Sequence, residues 1–340
     1  MQESRIVLER VDLQILHALQ IWPRVSWASL GPILSIDPIT AARRWARLES
    51  SGIAWMASYK LLDQGEVEAG NSAHAVIELQ VRPKHVESVL TQLQRIDHLM
   101  IVRSTLGEWN VSFDWHGSSL RHLEHFIRHE VADMKGVQAS RSFPITRVPI
   151  EGSTWRYEAL SFEQERAVQQ LFVEDVYDPA PPAGRWHSLD DTIMGLVQED
   201  VRMSYTEMAK RANCTVTTAK RHLTHLIRHR DMHLRCDLSR QHSKKPVTVR
   251  FFATVPATDF SEVFHRLGEF YEVRSCSVLL GKYNLMINVW LESIYEASTF
   301  EARLAERTPT LMIWERDLVT RYYRQGGKQI GEDGRTLVGA

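Results

Sequence analysis

Residues 12–48 read DLQILHALQIWPRVSWASLGPILSIDPITAARRWARL, and residues 190–226 read DDTIMGLVQEDVRMSYTEMAKRANCTVTTAKRHLTHL. Laid together without a gap, at a shift of 178 residues, they put Asp12 on Asp190, Ile15 on Ile193, Arg24 on Arg202 and Ser26 on Ser204. Further along, Thr40 meets Thr218, Ala41 meets Ala219, Arg43 meets Arg221 and Leu48 meets Leu226. Apolar residues recur at helical spacing in both stretches, as Val11, Ile15, Leu19 and as Leu189, Ile193, Val197. Ser26 and Ser204 stand where an N-cap opens a second helix, and Asp37-Pro38 and Thr215-Val216 open a third. The pattern predicts one three-helix unit used twice. The third helix carries Ala41, Trp45 and Leu48 on one face and Thr40, Arg43, Arg44 and Arg47 on the other. Its second copy carries Ala219, Leu223 and Leu226 against Thr218, Arg221, His222 and His225.

Beyond this unit the best shift becomes 174, which pairs Val81 with Val255, Leu93 with Leu267, Gly107 with Gly281, Asn110 with Asn284 and Arg147 with Arg321. Residues 74–82 alternate as a strand does, and residues 84–95 switch to helical spacing. Strands are predicted at 99–105 and 109–115, a helix near 118–130 and a strand near 137–147. That order, β-α-β-β-α-β, is the ferredoxin-like unit, and it repeats from Val247 to Tyr323. The expected fold class is therefore α+β, with two winged-type helix-turn-helix modules and two ferredoxin-like modules in A-B-A-B order. The boundaries read 1–60, 72–150, 188–240 and 246–325, with a linker at 151–187 and a tail at 326–340. Within the linker, Ser161 and Gln164 form a capping-box pattern opening a helix, and DPAPPAG at 178–184 reads as a stiff spacer.

Composition narrows the function. The chain has 340 residues and a formal net charge of -1, so a nucleic-acid role must rest on local charge. Residues 202–250 supply it, with twelve Lys or Arg against three Asp or Glu. Three dispersed cysteines, Cys214, Cys236 and Cys276, argue against a disulfide framework or a cysteine zinc site. The charged start MQESRIVLERVDLQ does not read as a signal peptide, and no apolar run reaches the ~20 residues of a membrane span. A cytoplasmic protein with no membrane partner and no cofactor is expected. His122, His125 and His129 share one arc of a helix, but scattered surface histidines are the preferred reading over a metal site.

A recognition helix needs small residues at its N-terminal end and cations that reach guanines or phosphates. The candidate contacts to double-stranded DNA are Thr40, Arg43, Arg44 and Arg47 in the first copy and Thr217, Thr218, Lys220, Arg221 and His225 in the second. Residues 24–26 and 202–204, the helix-exit run from Arg43 to Ile53, and the turns Gly107-Glu108-Trp109-Asn110 and Gly281-Lys282-Tyr283-Asn284 together carry a family resemblance. The whole chain resembles a tandem duplication of the Lrp/AsnC family of transcription factors. The resemblance implies a DNA-binding regulator that senses a small molecule, such as an amino acid, and forms homo-oligomers. It implies effector contacts at Gly107, Trp109, Asn110, Gly281, Tyr283 and Asn284. Asn stands in both turns where the family has Asp, and Arg230-Asp231 replaces the family's Gly-Ile after the second recognition helix. An enzymatic alternative shares the architecture, since sirohaem decarboxylases resemble the same regulators. Their histidine has no counterpart in Val102–Asn110 or Cys276–Asn284, so a regulator rather than an enzyme is expected.

Overall fold

A computed structural model of the chain describes residues 8–60, 73–177, 188–229 and 232–337. The DPAPPAG spacer and Arg230-Asp231 lie outside the described residues. The fold is α+β. The first quarter holds α1 (Arg10–Ile21), α2 (Trp27–Leu34), α3 (Pro38–Ser50) and β1 (Ala54–Lys60). Then come β2 (Ala73–Val81), α4 (Val86–Leu93), β3 (Leu99–Leu106), β4 (Val111–Gly117), α5 (Leu120–Phe126) and β5 (Val137–Ile150). A connecting helix follows, α6 (Phe162–Asp175). The second half repeats the order with α7 (Ser188–Glu199), α8 (Tyr205–Arg211), α9 (Val216–Arg228) and β6 (Met232–Leu238). It ends with β7 (Val247–Thr254), α10 (Phe260–Gly268), β8 (Val273–Leu279), β9 (Leu285–Leu291), α11 (Glu296–Arg307), β10 (Met312–Gln325) and β11 (Lys328–Gln329).

The chain divides into two compact units, residues 1–63 with 153–238, and residues 64–152 with 239–340. Like modules therefore gather with like. In the first unit the predicted caps form. Ser26 accepts from the Ser29 N–H, Asp37 from Ile39 and Thr40, Ser204 from Glu207 and Thr215 from Thr218, satisfying donors a helix start leaves open. Ser35 (φ 55°) and Asn213 (φ 51°) hold left-handed backbone at equivalent places, turning each second helix into the third. Val25, Leu30, Trp45 and Leu48 fill one core, and Ile193, Met208, Leu223 and Leu226 the other.

Two devices join the copies. β1 and β6 pair antiparallel from Ala54 opposite Leu238 to Lys60 opposite Met232. Arg24 and Arg202 exchange a reciprocal clasp. The Arg24 guanidinium donates to the carbonyls of Val201 (2.5 Å) and Met203 (2.8 Å), and Arg202 donates to those of Pro23 (2.5 Å) and Val25 (2.7 Å). Each guanidinium also lies over an aromatic ring of the other copy, Arg24 over Tyr205 at 4.8 Å and Arg202 over Trp27 at 4.2 Å. Burial, with help from the Arg24 charge, pulls Arg202 down to about 10, so it stays cationic at neutral pH. The segment expected to be a linker is part of this core. Val168 of α6 is fully buried, with Leu171, Phe172 and Val176 packed beside it, and the Ser161–Gln164 capping box forms.

In the second unit every sheet neighbour is antiparallel. Strands β3-β4-β2-β5 form one four-stranded sheet and β8-β9-β7-β10 its repeat. The sheets join at both edges, β5 on β8 and β10 on β3, so eight strands close on themselves. α4 and α5 contribute Val89, Leu90, Leu93, Leu123 and Phe126 to one core, and α10 and α11 contribute Val263, Leu267, Phe300 and Leu304 to the other. The expected tail instead turns back. Gly326 and Gly327 take positive φ, and β11 pairs with the end of β10.

His17 ties the connecting segment to α1. Its Nδ1 accepts from the N–H groups of Ala159 (3.3 Å) and Leu160 (3.2 Å), which only the neutral ring can do. Burial, and secondarily Arg156, pushes His17 down to about 4. In the other unit burial and His116 push His74 to about 4 as well. A folded value below the unfolded one means that the unfolded chain binds more protons, so stability held above pH 6.5 is lost as pH falls toward 4. Thermal unfolding should show this loss, and His17→Asn, which keeps an acceptor and cannot titrate, should remove part of it. An unchanged acid slope in the variant would place the titration elsewhere.

Candidate nucleic-acid interface and ligand-binding turns

The two third helices, α3 and α9, present related but unequal faces. Arg43, Lys220 and Arg221 are exposed, and Arg43 and Arg221 make no ion pair among the described residues. Thr217 is exposed, while Thr40 and Thr218 are half-buried and the Thr218 hydroxyl meets that of Thr215 at 2.8 Å. The remaining candidates hold their own module together. Arg44 pairs with Asp12 (3.1 Å) and Glu9 (2.9 Å), and Arg47 with Asp12 (2.8 Å). Asp12 is fully buried, so these arginines answer a carboxylate that has lost its water. The second copy keeps the device with other residues. Buried Asp190, the counterpart of Asp12, meets His222, the counterpart of Arg44, at 2.7 Å. His225 is buried, its ring 4.3 Å from that of His229. The sequence pattern could not distinguish the cations that make no ion pair from those tied to α1.

The predicted turns lie between β3 and β4 and between β8 and β9. Gly107 (φ 124°) and Gly281 (φ 145°) occupy backbone that other residues avoid. Asn110 does not reach outward. Its Oδ1 accepts from the Val81 N–H (3.0 Å) and its Nδ2 donates to the Val81 carbonyl (2.7 Å). Asn284 repeats both bonds with Val255, at the same distances. An Asn can serve as donor and acceptor to one residue, which an ionised Asp cannot do. The two aromatic residues of the turns converge on one ion pair. Arg141 lies 4.5 Å over the Trp109 ring, and the Tyr283 hydroxyl donates to Glu315. Arg141 donates to Glu315 through its two terminal guanidinium nitrogens, at 3.0 and 2.5 Å. Burial would raise Glu315, but its bonds from Arg141 and Tyr283 prevail and hold it below the ordinary carboxylate range.

Sequence reading missed the cluster behind this pair. Fully buried Arg250 bonds Glu78, Ser112 (2.9 Å) and Asp317 (2.8 Å), and Arg141 also reaches Glu78. Burial, with the charges of Glu78 and Glu315, lifts Asp317 to about 6 against the pull of Arg250 and Arg141. At the 174-residue shift, Arg250, Glu78, Ser112 and Asp317 correspond to Val76, Phe252, Met286 and Phe143. Those four residues form one apolar cluster with Leu279 and Tyr283. The repeat thus relates a buried ion cluster to a buried apolar one. The only signal in the sequence was opposite charge at matched positions, Arg141 against Glu315.

Elsewhere, the His122 ring lies 5.3 Å from that of Trp115, and the His125 ring lies 4.4 Å from that of His129, tilted by 41°. Among the described residues no group of three or more His, Cys, Asp or Glu is placed to hold a metal ion. No helix among them is long and apolar enough to cross a membrane.

Known proteins align with these features. The family model of the Lrp/AsnC ligand binding domain matches residues 74–155. The HTH-type transcriptional regulator Ptr1 of Methanocaldococcus jannaschii is 24% identical over 147 residues, covering 43% of this chain and 97% of that protein. An uncharacterised HTH-type transcriptional regulator of Pyrococcus horikoshii is 22% identical over 144 residues, covering 42% of this chain and 89% of its own. Among solved structures, the siroheme decarboxylase NirDL matches 93% of both chains with a TM-score of 0.56 at 16% identity. That likeness is one of fold.

The Asn110 bonds carry a prediction. Asn110→Ala should destabilise the protein without any ligand by about 1–3 kcal/mol, because it strands a backbone donor and acceptor at the end of β2. Urea denaturation measures this, and an unchanged midpoint would show that water replaces the amide.

Proposed function

With the Lrp/AsnC ligand binding domain at residues 74–155 as premise, we propose that the chain is a DNA-binding transcriptional regulator whose two halves act as one dimer-like reader. α1–α3 and α7–α9 are read as winged-type helix-turn-helix modules, and the two β-α-β-β-α-β repeats as ferredoxin-like sensing modules. The observation that carries the reading is the pair of capped third helices with Arg43, Lys220 and Arg221 exposed, held in one unit by the arginine clasp and the β1–β6 pairing. Two third helices held in one unit offer a duplex two related faces from a single chain. Thr40, Arg43, Thr217, Thr218, Lys220 and Arg221 are assigned to DNA, with Arg47 reaching phosphate from its paired position. Arg44 and His225 are assigned to support of the helices.

Sensing is assigned to the two turns and the ion pair between them. Trp109 and Tyr283 flank a guanidinium and a carboxylate, groups that recognise the carboxylate and ammonium of an amino acid. Gly107 and Gly281 are exposed at the tips of these turns, with positive φ. Asn110 and Asn284 shape the turns and do not touch ligand.

The experiment is DNA binding by Arg43→Ala/Lys220→Ala/Arg221→Ala. Loss of these three exposed cations should weaken binding to duplex DNA and lower its dependence on salt. Equal affinity of the triple variant and the parent would overturn the reading. The protein should also leave sirohaem unchanged. Decarboxylation would move the function to that of the enzyme whose fold it shares.

A further inference from the structure

Building on the DNA-binding reading, we infer that this chain recognises an asymmetric operator, two half-sites sharing one contact and differing beside it, with a single chain per operator. A symmetric homodimer shows the same side chains to both half-sites, and its operator mirrors that symmetry. Here the two readers sit in one unit, and their exposed residues can be compared position by position at the 178-residue shift.

The shared elements are Arg43 with Arg221 and Thr40 with Thr218. Both arginines are exposed, and an arginine at this place reads guanine through O6 and N7. The differences lie at the two neighbouring positions of the same face. Ile39 is 78% exposed at the first turn of α3, where its counterpart is Thr217, also exposed. A water-facing isoleucine on a polar face has no packing role, and an apolar side chain there suits a thymine methyl group. Ala42 is matched by exposed Lys220, so the second reader has a cation where the first has a methyl group. Further along, Arg44 and Arg47 become the buried histidines 222 and 225. The first reader thus offers Ile39 and Arg43, and the second offers Thr217, Lys220 and Arg221. The half-site under α3 should carry thymine beside the common guanine, and the half-site under α9 a second guanine edge instead.

The clasp makes the difference usable. Arg24 and Arg202 bond backbone of the opposite copy on both sides, and the β1–β6 register fixes the pairing. The readers therefore meet DNA at a set separation without a second chain, and the order of half-sites gives the bound protein a direction on the duplex.

The test is selection from a random duplex pool with the full-length protein and with Ile39→Thr/Ala42→Lys, which copies the second reader's face onto the first. Both positions lie outside the core, and thermal melting checks that the variant folds. The parent should enrich an imperfect inverted repeat, and the variant a repeat with two like half-sites. Each protein should prefer its own site by about tenfold for each altered base pair. Sedimentation of the parent on its selected duplex should give one chain per site. Arg43→Ala and Arg221→Ala, tested separately, should relax opposite half-sites. A perfect inverted repeat from the parent overturns the inference and leaves the regulator reading standing. An unchanged preference in the face-copied variant, or two chains per site, also overturns it. Failure to enrich any sequence overturns both readings.

Discussion

A four-stranded β-α-β-β-α-β sheet leaves two strand edges with unpaired N–H and C=O groups, and exposed edges of this kind recruit other chains. In this protein each repeat supplies what the other lacks. β5 of the first sheet covers β8 of the second, and β10 of the second covers β3 of the first. Closure removes both edges at once. It brings the two 174-shifted sets of inner residues against each other, and with them the two turns. The arrangement a homodimer makes by association is made here within one polypeptide, so it does not dissociate on dilution.

Covalent joining also lets the halves diverge. In the two three-helix units, a buried carboxylate on the first helix holds the third helix in both copies, but its partner is Arg44 in one and His222 in the other. The device is kept and its chemistry changed. The outer faces of the third helices have diverged too, at Ile39 against Thr217 and Ala42 against Lys220.

Much of this was legible before any coordinates, because it is local. The helix boundaries followed from Ser26, Asp37, Ser204 and Thr215, whose caps form as their chemistry requires. The strands β2 and β4 followed from alternation at residues 74–82 and 109–115. What sequence could not show depends on contacts between distant segments. Arg250 and Glu78 lie 172 positions apart, and nothing local marks a lysine-like surface cation from a guanidinium that will be sealed among carboxylates. The connecting segment looked like a linker because α6 has one apolar stripe and a proline-rich sequel, yet that stripe finds a core through Val168 and Phe172. The turn asparagines were read as ligand groups because the resemblance placed ligand contacts there. Their full engagement with Val81 and Val255 depends on the end of a neighbouring strand.

The Arg141–Glu315 pair shows what the fused design specifies. The two residues occupy matched positions in the repeat and yet touch, so they lie at the internal twofold relation of the closed sheet. Two copies of the first repeat paired in the same way would set Arg141 against Arg141, and two copies of the second would set Glu315 against Glu315. Either arrangement buries like charges beside each other, a cost of several kcal/mol at an interface. The larger cluster enforces the same choice, since Arg250 from the second repeat answers Glu78 from the first, and two first repeats would leave both Glu78 carboxylates without that partner. A buried ion pair is weak evidence for stability, because hydrophobic residues of similar volume often serve as well. The apolar cluster at the related positions demonstrates that substitution within this same molecule. The charges are better understood as address labels, which admit the unlike repeat and reject the like one.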